Sequence, residues 1–201
     1  NLPYRNIDDP FIYNAYEGIF YRTNNTLCFK EIYNDTLYQV KNNSLLPRFV
    51  FKMGKYRPPP EKRSKLEEII TRDESGSVTW LLDNYVETKY LCESERYILF
   101  EFKYQTQEYW GFYDKKKGET HIRRNEDNIT VTGIEMPFRL TRAFINQKNQ
   151  ELVTFIDAYE LVLWIESNPE KVKALPQDVQ QQIKEVKESD NPVVIIAKLK
   201  E

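Results

Sequence analysis

Glycine is scarce in this chain, with 6 in 201 residues, although 14 tyrosines, 11 phenylalanines and 3 tryptophans favour β-strands. Tight hairpins must therefore lean on asparagine and aspartate, which tolerate a left-handed backbone. Histidine occurs once, at His121, so a histidine pair or a histidine-rich metal set is excluded within the chain. The two cysteines, Cys28 and Cys92, lie far apart inside apparent strands and read as buried free thiols. A disulfide between them stays open for an exported protein, but one pair is no disulfide framework. Zinc would need more ligands than these two and His121. No cofactor is implied, because the chain has no glycine-rich phosphate loop, no Ser-His-Asp order and no metal motif. No apolar stretch approaches the roughly 20 residues that span a bilayer. The 29 basic and 31 acidic residues nearly cancel, leaving a net charge of −2. The basic residues are spread along the chain, so nucleic-acid binding has no electrostatic footprint. The first residue is Asn1 and no signal peptide is visible, so the start reads as a processing point or the edge of a piece. Removal of an upstream export signal fits that start.

What is present is a succession of short strands. "GIFYRT" (18–23), "TLCFKEIY" (26–33), "TLYQV" (36–40) and "LLPRFVFKMG" (45–54) are separated by Asn24-Asn25, Asn34-Asp35 and "KNNS". Those separators are hairpin signals, so the four strands form an antiparallel meander. A second meander follows in "YVETKYLCES" (85–94), "RYILFEFKYQTQ" (96–107), "EYWGFYDKKKG" (108–118) and "ETHIRRN" (119–125). In its second strand Ile98, Phe100, Phe102 and Tyr104 share one wholly apolar or aromatic face, as a strand packed between two layers requires.

Between the meanders, "PPPEKRSKLEEIITRDESG" (58–76) breaks the strand with three prolines. Leu66, Ile69 and Ile70 then predict a short helix near 60–72. A third group begins with "MPFRLTRAFINQ" (136–147) and "ELVTFID" (151–157), read as a hairpin over "KNQ". Leu161, Trp164 and Ile165 predict a helix over 158–167. A second, polar helix is expected over 170–189, capped at Asn168 and carrying a narrow stripe of Val179, Ile183 and Val186. The terminal "NPVVIIAKLK" reads as a buried closing strand beside "ELVTFID".

Few residues invite chemistry. Glu67 and Glu68 are adjacent on a helix and point in different directions, as a solvated face does. Glu101 and Glu108 could meet across a hairpin, the kind of carboxylate pair a glycosidase uses, although exposed strand charges are the plainer reading. Tyr109, Trp110, Phe112 and Tyr113 could form a stacking platform for a sugar, or core packing between sheets, with Gly111 allowing close strand approach. His121, beside Arg123 and Arg124, reads as a surface residue, and "DKKKG" as a solvated turn. None of these singles out a catalytic, ligand-binding or metal residue.

Four-stranded units at 18–54 and 85–125, with a third unit at 136–200, suggest β-propeller blades. "IYNDTLYQVKNNSLLPRFVFKMGK" resembles a recurring segment of six-bladed β-propeller proteins from gut bacteria, a family catalogued as domains of unknown function. "ERYILFEFKYQTQEYWGFYDKKKGET" is similar to the blade that follows. "ELVTFIDAYEL" and "DNPVVIIAKLKE" resemble that family's C-terminal pattern, while "NEDNITVTGIEMPF" departs from its glycine-rich, Asp-containing loop.

The resemblance implies a mainly β fold of antiparallel blades with helical insertions. It implies an exported protein, periplasmic or a cell-surface lipoprotein, acting as a non-catalytic binding or scaffold module. Its partner would be a protein or a glycan. The alternative is a glycan-processing enzyme with its site in the propeller channel. It also implies that residues 1–201 are the C-terminal part of a longer six-bladed ring whose N-terminal half is missing. Self-association that completes a ring, and a smaller non-propeller β fold, stay open beside that.

Overall fold

The computed structural model describes residues 18–59, 83–124 and 143–199. The helix expected near 60–72, with Glu67 and Glu68, lies outside the described residues, as do "NEDNITVTGIEMPF" and the start of the 136–147 strand.

The first sheet is a meander of β1 (Gly18–Thr23), β2 (Thr26–Glu31), β3 (Thr36–Lys41) and β4 (Ser44–Val50). Two of its turns use paired asparagines at positive φ: Asn24 and Asn25 at 44° and 61°, Asn42 and Asn43 at 51° and 57°. This double left-handed geometry matches the twist of the flanking strands. The β2–β3 connection is longer. Asn34 Oδ1 accepts from the Thr36 amide at 3.0 Å, and the Lys30 ammonium donates to the Asn34 carbonyl and, at 2.8 Å, to that of Glu31.

The second sheet is built the same way from β5 (Glu87–Glu93), β6 (Tyr97–Tyr104), β7 (Gln107–Asp114) and β8 (Glu119–Arg124). Its β6–β7 turn falls at Gln105 and Thr106, with φ of 50° and 62°. The sequence predicts a strand through both residues, because neither is a usual turn former. A left-handed β-branched residue is a backbone outlier. Thr106→Gly is expected to raise stability by roughly 0.5–1 kcal/mol, measured by urea denaturation, after the entropy of an added glycine is subtracted.

The third sheet has three strands in the order β11-β10-β9, from β9 (Phe144–Asn146), β10 (Glu151–Ile156) and β11 (Val193–Lys198). The terminal strand pairs antiparallel with β10, Leu152 opposite Ala197 and Ile156 opposite Val193, as the sequence predicts. Helix α1 (Ala158–Ser167) also lies where expected. The single helix expected over 170–189 is instead two, α2 (Pro169–Lys173) and α3 (Gln177–Lys184). Pro176 stands at the break, since its ring and missing N–H cannot continue a helix.

The sheets stack in chain order, and the second is covered on both faces. Toward the first sheet, Leu91, Ile98 and Phe100 pack on Cys28 and Leu37, with Tyr21, Phe49 and Phe51 around them. Toward the third, Cys92, Leu99 and Trp110 pack on Ile145 and Leu152. The period of two in β6 thus serves two cores at once. The rest of the near face of the third sheet is covered by the helices: Leu161 and Trp164 of α1, Leu175 and Ile183 pack on Ile156, with Val193 and Ile195 beside them. Val179 and Val186 join that cluster, which accounts for the stripe expected in the polar helix. Backbones of different sheets approach most closely at β1 with β5 and β5 with β9. The sheets therefore fan outward from their first strands.

Candidate functional site

The period of a strand separates the residues that looked like one aromatic platform. Along β7, Trp110 and Phe112 face the third sheet, whereas Tyr113 faces the first. Tyr109 stacks on Phe102 with ring centroids 5.1 Å apart and planes 8° apart. Trp110 is buried in the core. Phe112 is half-buried between Tyr97, at 5.6 Å edge-on, and the His121 ring, at 4.8 Å. Gly111 is the point of closest approach: a Cβ there would sit 2.4 Å from the His121 carbonyl oxygen and 2.9 Å from the Phe100 ring.

The other candidates are dispersed too. Glu101 is directly opposite Trp110, and Glu108 is opposite Lys103, so the two glutamates are not a cross-strand pair. Glu101 is buried, whereas Glu108 is exposed. His121 lies on the exposed strand β8, its Nε2 3.7 Å from Glu119. Cys28 and Cys92 are free and belong to the two different cores on either side of the second sheet. Burial pushes the Cys92 thiol up to about 12, so it is protonated and unreactive at neutral pH. Among the described residues, no group of three or more His, Cys, Asp and Glu is placed to hold a metal ion.

Among the described residues, a dense set of charged groups that the sequence does not single out is centred on Glu93 at the end of β5. Its side chain is wholly buried between the first and second sheets. Arg48 grips it with both terminal nitrogens, at 2.6 and 2.7 Å. The Lys115 ammonium donates to Oε1 at 2.6 Å and the Tyr21 hydroxyl to Oε2 at 2.8 Å. The strand geometry explains the aim of Arg48. The β3–β4 register shifts from Leu37 opposite Phe49 to Tyr38 opposite Pro47, so Arg48 is the extra residue of a bulge. Its guanidinium also donates to Cys28 Sγ at 3.1 Å and lies over the Phe49 ring, 5.2 Å from the centroid. Burial, reinforced by the Glu93 charge, drives the Tyr21 phenol well above its ordinary value, so it stays protonated and donates to Glu93. The cluster is an electrostatic clamp between sheets.

Lys115 ties the clamp to the "DKKKG" turn, where it also donates to the Ser94 carbonyl at 2.6 Å. In that turn Arg96 reaches Asp114 at 2.7 Å, and the amides of Lys116 and Lys117 donate to Asp114 Oδ1 at 2.9 and 3.2 Å. The Arg96 hydrogen bonds, with those two amides, lower Asp114 from 3.8 to about 2. A lowered folded-state value means that this stability is complete above pH 3.8 and is lost as pH falls toward about 2. Acid titration of unfolding is expected to lose that slope in Asp114→Asn; an unchanged slope would show that Asp114 is not its source. A second inter-sheet tie is Lys30, fully buried, whose ammonium donates to Thr88 Oγ1 at 3.2 Å in addition to the two carbonyls of its own loop.

Fold and site together define a mainly β protein of layered antiparallel sheets with few helices. The chain belongs to the family described as Domain of unknown function (DUF4934), whose model matches residues 2–198. A similar solved structure is that of a Bacteroides fragilis protein described as a "putative exported protein", at 16% identity and a TM-score of 0.67. The match covers 90% of this chain and 49% of that one, so the chain spans about half the length of that protein. Among curated proteins, none matches. Among the described residues, no helix is long and apolar enough to cross a membrane.

Proposed function

We propose that the three sheets are consecutive blades of a six-bladed β-propeller, that residues 1–201 form one unit of about three blades, and that the rest of the ring lies elsewhere in a longer exported protein. The fan of sheets about β1, β5 and β9 supports the blade reading, as does a solved neighbour of which this chain covers 49%. In that protein, periplasmic or a cell-surface lipoprotein, the unit serves as a non-catalytic binding or scaffold module for a protein or a glycan. The observation that carries this reading is the engagement of Glu93, whose two oxygens hold Arg48, Lys115 and Tyr21. This cluster ties the first two sheets together. Glycan-array and thermal-shift screening of the protein tests the proposal: a ligand that binds unchanged supports it. Polysaccharide turnover that Glu101→Gln or Glu108→Gln abolishes would replace it with a glycan-processing enzyme.

A further inference from the structure

The second sheet has two edges with different surroundings. Its inner edge, β5, lies against β1 and β9 of the neighbouring sheets. Its other edge is β8, whose six residues are all exposed. A sheet edge carries a row of backbone N–H and C=O groups that accept a further strand. Proline and bulges are the usual means of blocking such an edge. The edge strand of the first sheet, β4, has both, in Pro47 and the extra residue Arg48. Strand β8 has neither. Its pairing with β7 runs without a break from Tyr109 opposite Arg124 to Asp114 opposite Glu119.

Charge marks the same edge. Lys116 and Lys117 stand in the turn that leads into β8, and Arg123 stands near the end of the strand. All three are exposed, and none has an ion-pair partner among the described residues. Glu119 is the one acidic residue of the strand, and it lies 3.7 Å from His121. The chain as a whole has a net charge of −2, so this excess of cations is local. Between the charges, Ile122 is 52% exposed. The turn itself is held: Lys115 donates to Glu93, and Asp114 accepts from Arg96 and from the amides of Lys116 and Lys117. The two exposed lysines therefore project from a fixed frame.

Cations on an edge repel a strand of like charge and admit one of opposite sign. We infer that β8 is the docking edge for an extended acidic segment of a partner protein, which adds to the four-stranded second sheet as a further strand. Its carboxylates meet Lys116 and Lys117 at one end and Arg123 at the other, with an apolar residue beside Ile122. Main-chain pairing supplies the affinity, and the charges choose the partner. An acidic polysaccharide or a nucleic acid meets the cations but has no peptide backbone to extend the ladder. This inference rests on the binding-module reading and narrows its partner to a protein strand.

Fluorescence anisotropy with the native polypeptide tests it. The probe is a labelled peptide of alternating valine and threonine with aspartates at both ends. It is expected to bind at low ionic strength and to weaken as salt is added, because exposed charges are screened. A peptide with lysines in place of the aspartates is expected to bind roughly tenfold more weakly or worse, as is the aspartate peptide on a Lys116→Glu, Arg123→Glu variant. N-methylation of the peptide supplies a readout independent of charge and of the protein's folding. An added strand pairs through alternate residues, so methylating one alternate set of amides is expected to abolish binding and methylating the other to leave it unchanged. Equal effects from the two sets, equal binding of the lysine-ended peptide, or no binding of the acidic one would overturn the inference. Self-association of the native polypeptide that the charge-reversal variant abolishes would give the edge to a second copy, and would overturn it too. An acidic polysaccharide that binds where the peptide does not would end this inference and leave the binding-module reading in place. Polysaccharide turnover that Glu101→Gln abolishes would end that reading without changing peptide binding, so the two failures are separable.

Discussion

Glu93→Gln is expected to cost the fold about 3–5 kcal/mol, the range found when one partner of a buried ion pair is removed. The substitution preserves shape and changes charge. It leaves the Arg48 guanidinium and the Lys115 ammonium, both half-buried, facing a neutral amide. Two cations that shared a carboxylate then repel each other between the first two sheets. An apolar triple replacement, Glu93→Leu with Arg48→Met and Lys115→Met, is expected to recover much of the loss, because no desolvated charge remains. Urea denaturation of the single and triple variants checks both statements. A single variant within 1 kcal/mol of the parent would show that the clamp contributes little.

Gly111→Ala is the second large effect, at the upper end of the roughly 1–3 kcal/mol that overpacking costs. The added methyl would meet a backbone oxygen of the neighbouring strand β8 at 2.4 Å, and a backbone atom cannot rotate away. Relief requires β7 and β8 to separate and Phe100, which contacts Phe51 edge-on at 5.6 Å, to shift from its place between the first two sheets. The same substitution at Gly118 meets no atom within 4 Å, and its cost comes only from the left-handed backbone at φ 73°. Gly111→Ala should therefore lower thermal stability more than Gly118→Ala, and the reverse order would contradict the packing described for β7.

Much of the architecture is legible in local signals. Asn24-Asn25 and Asn42-Asn43 announce their hairpins because asparagine is one of the few residues that accept a left-handed backbone. Ile98, Phe100 and Phe102 announce a covered face by alternation alone. The turn at Gln105 and Thr106 is hidden for the converse reason: the strands on either side impose it on residues that do not favour it. Pro176 was visible in the sequence, and its effect on the 170–189 helix follows from its missing N–H. The aromatic run at 109–113 misleads because contiguity in sequence is not contiguity in a strand, where neighbours point to opposite faces.

The Glu93 clamp could not be read locally. Tyr21, Arg48 and Lys115 stand 72, 45 and 22 residues from it, and only the stacking of two sheets brings them together. The bulge that aims Arg48 is equally silent, since it depends on a register shift between β3 and β4. A charged residue beside Leu91 and Cys92 in an apolar run was the one available signal, and it marks burial without naming the partners.

The layered order, with the second sheet covered on both faces, is tested most directly by hydrogen–deuterium exchange on the 201-residue chain. Amides of β6 and of the central part of β7 are expected to exchange most slowly, because layers exclude water on both sides. Amides of β4 and β11, each at a sheet edge, are expected to exchange faster. Protection in β6 and β7 no greater than in β4 and β11 would contradict the stack.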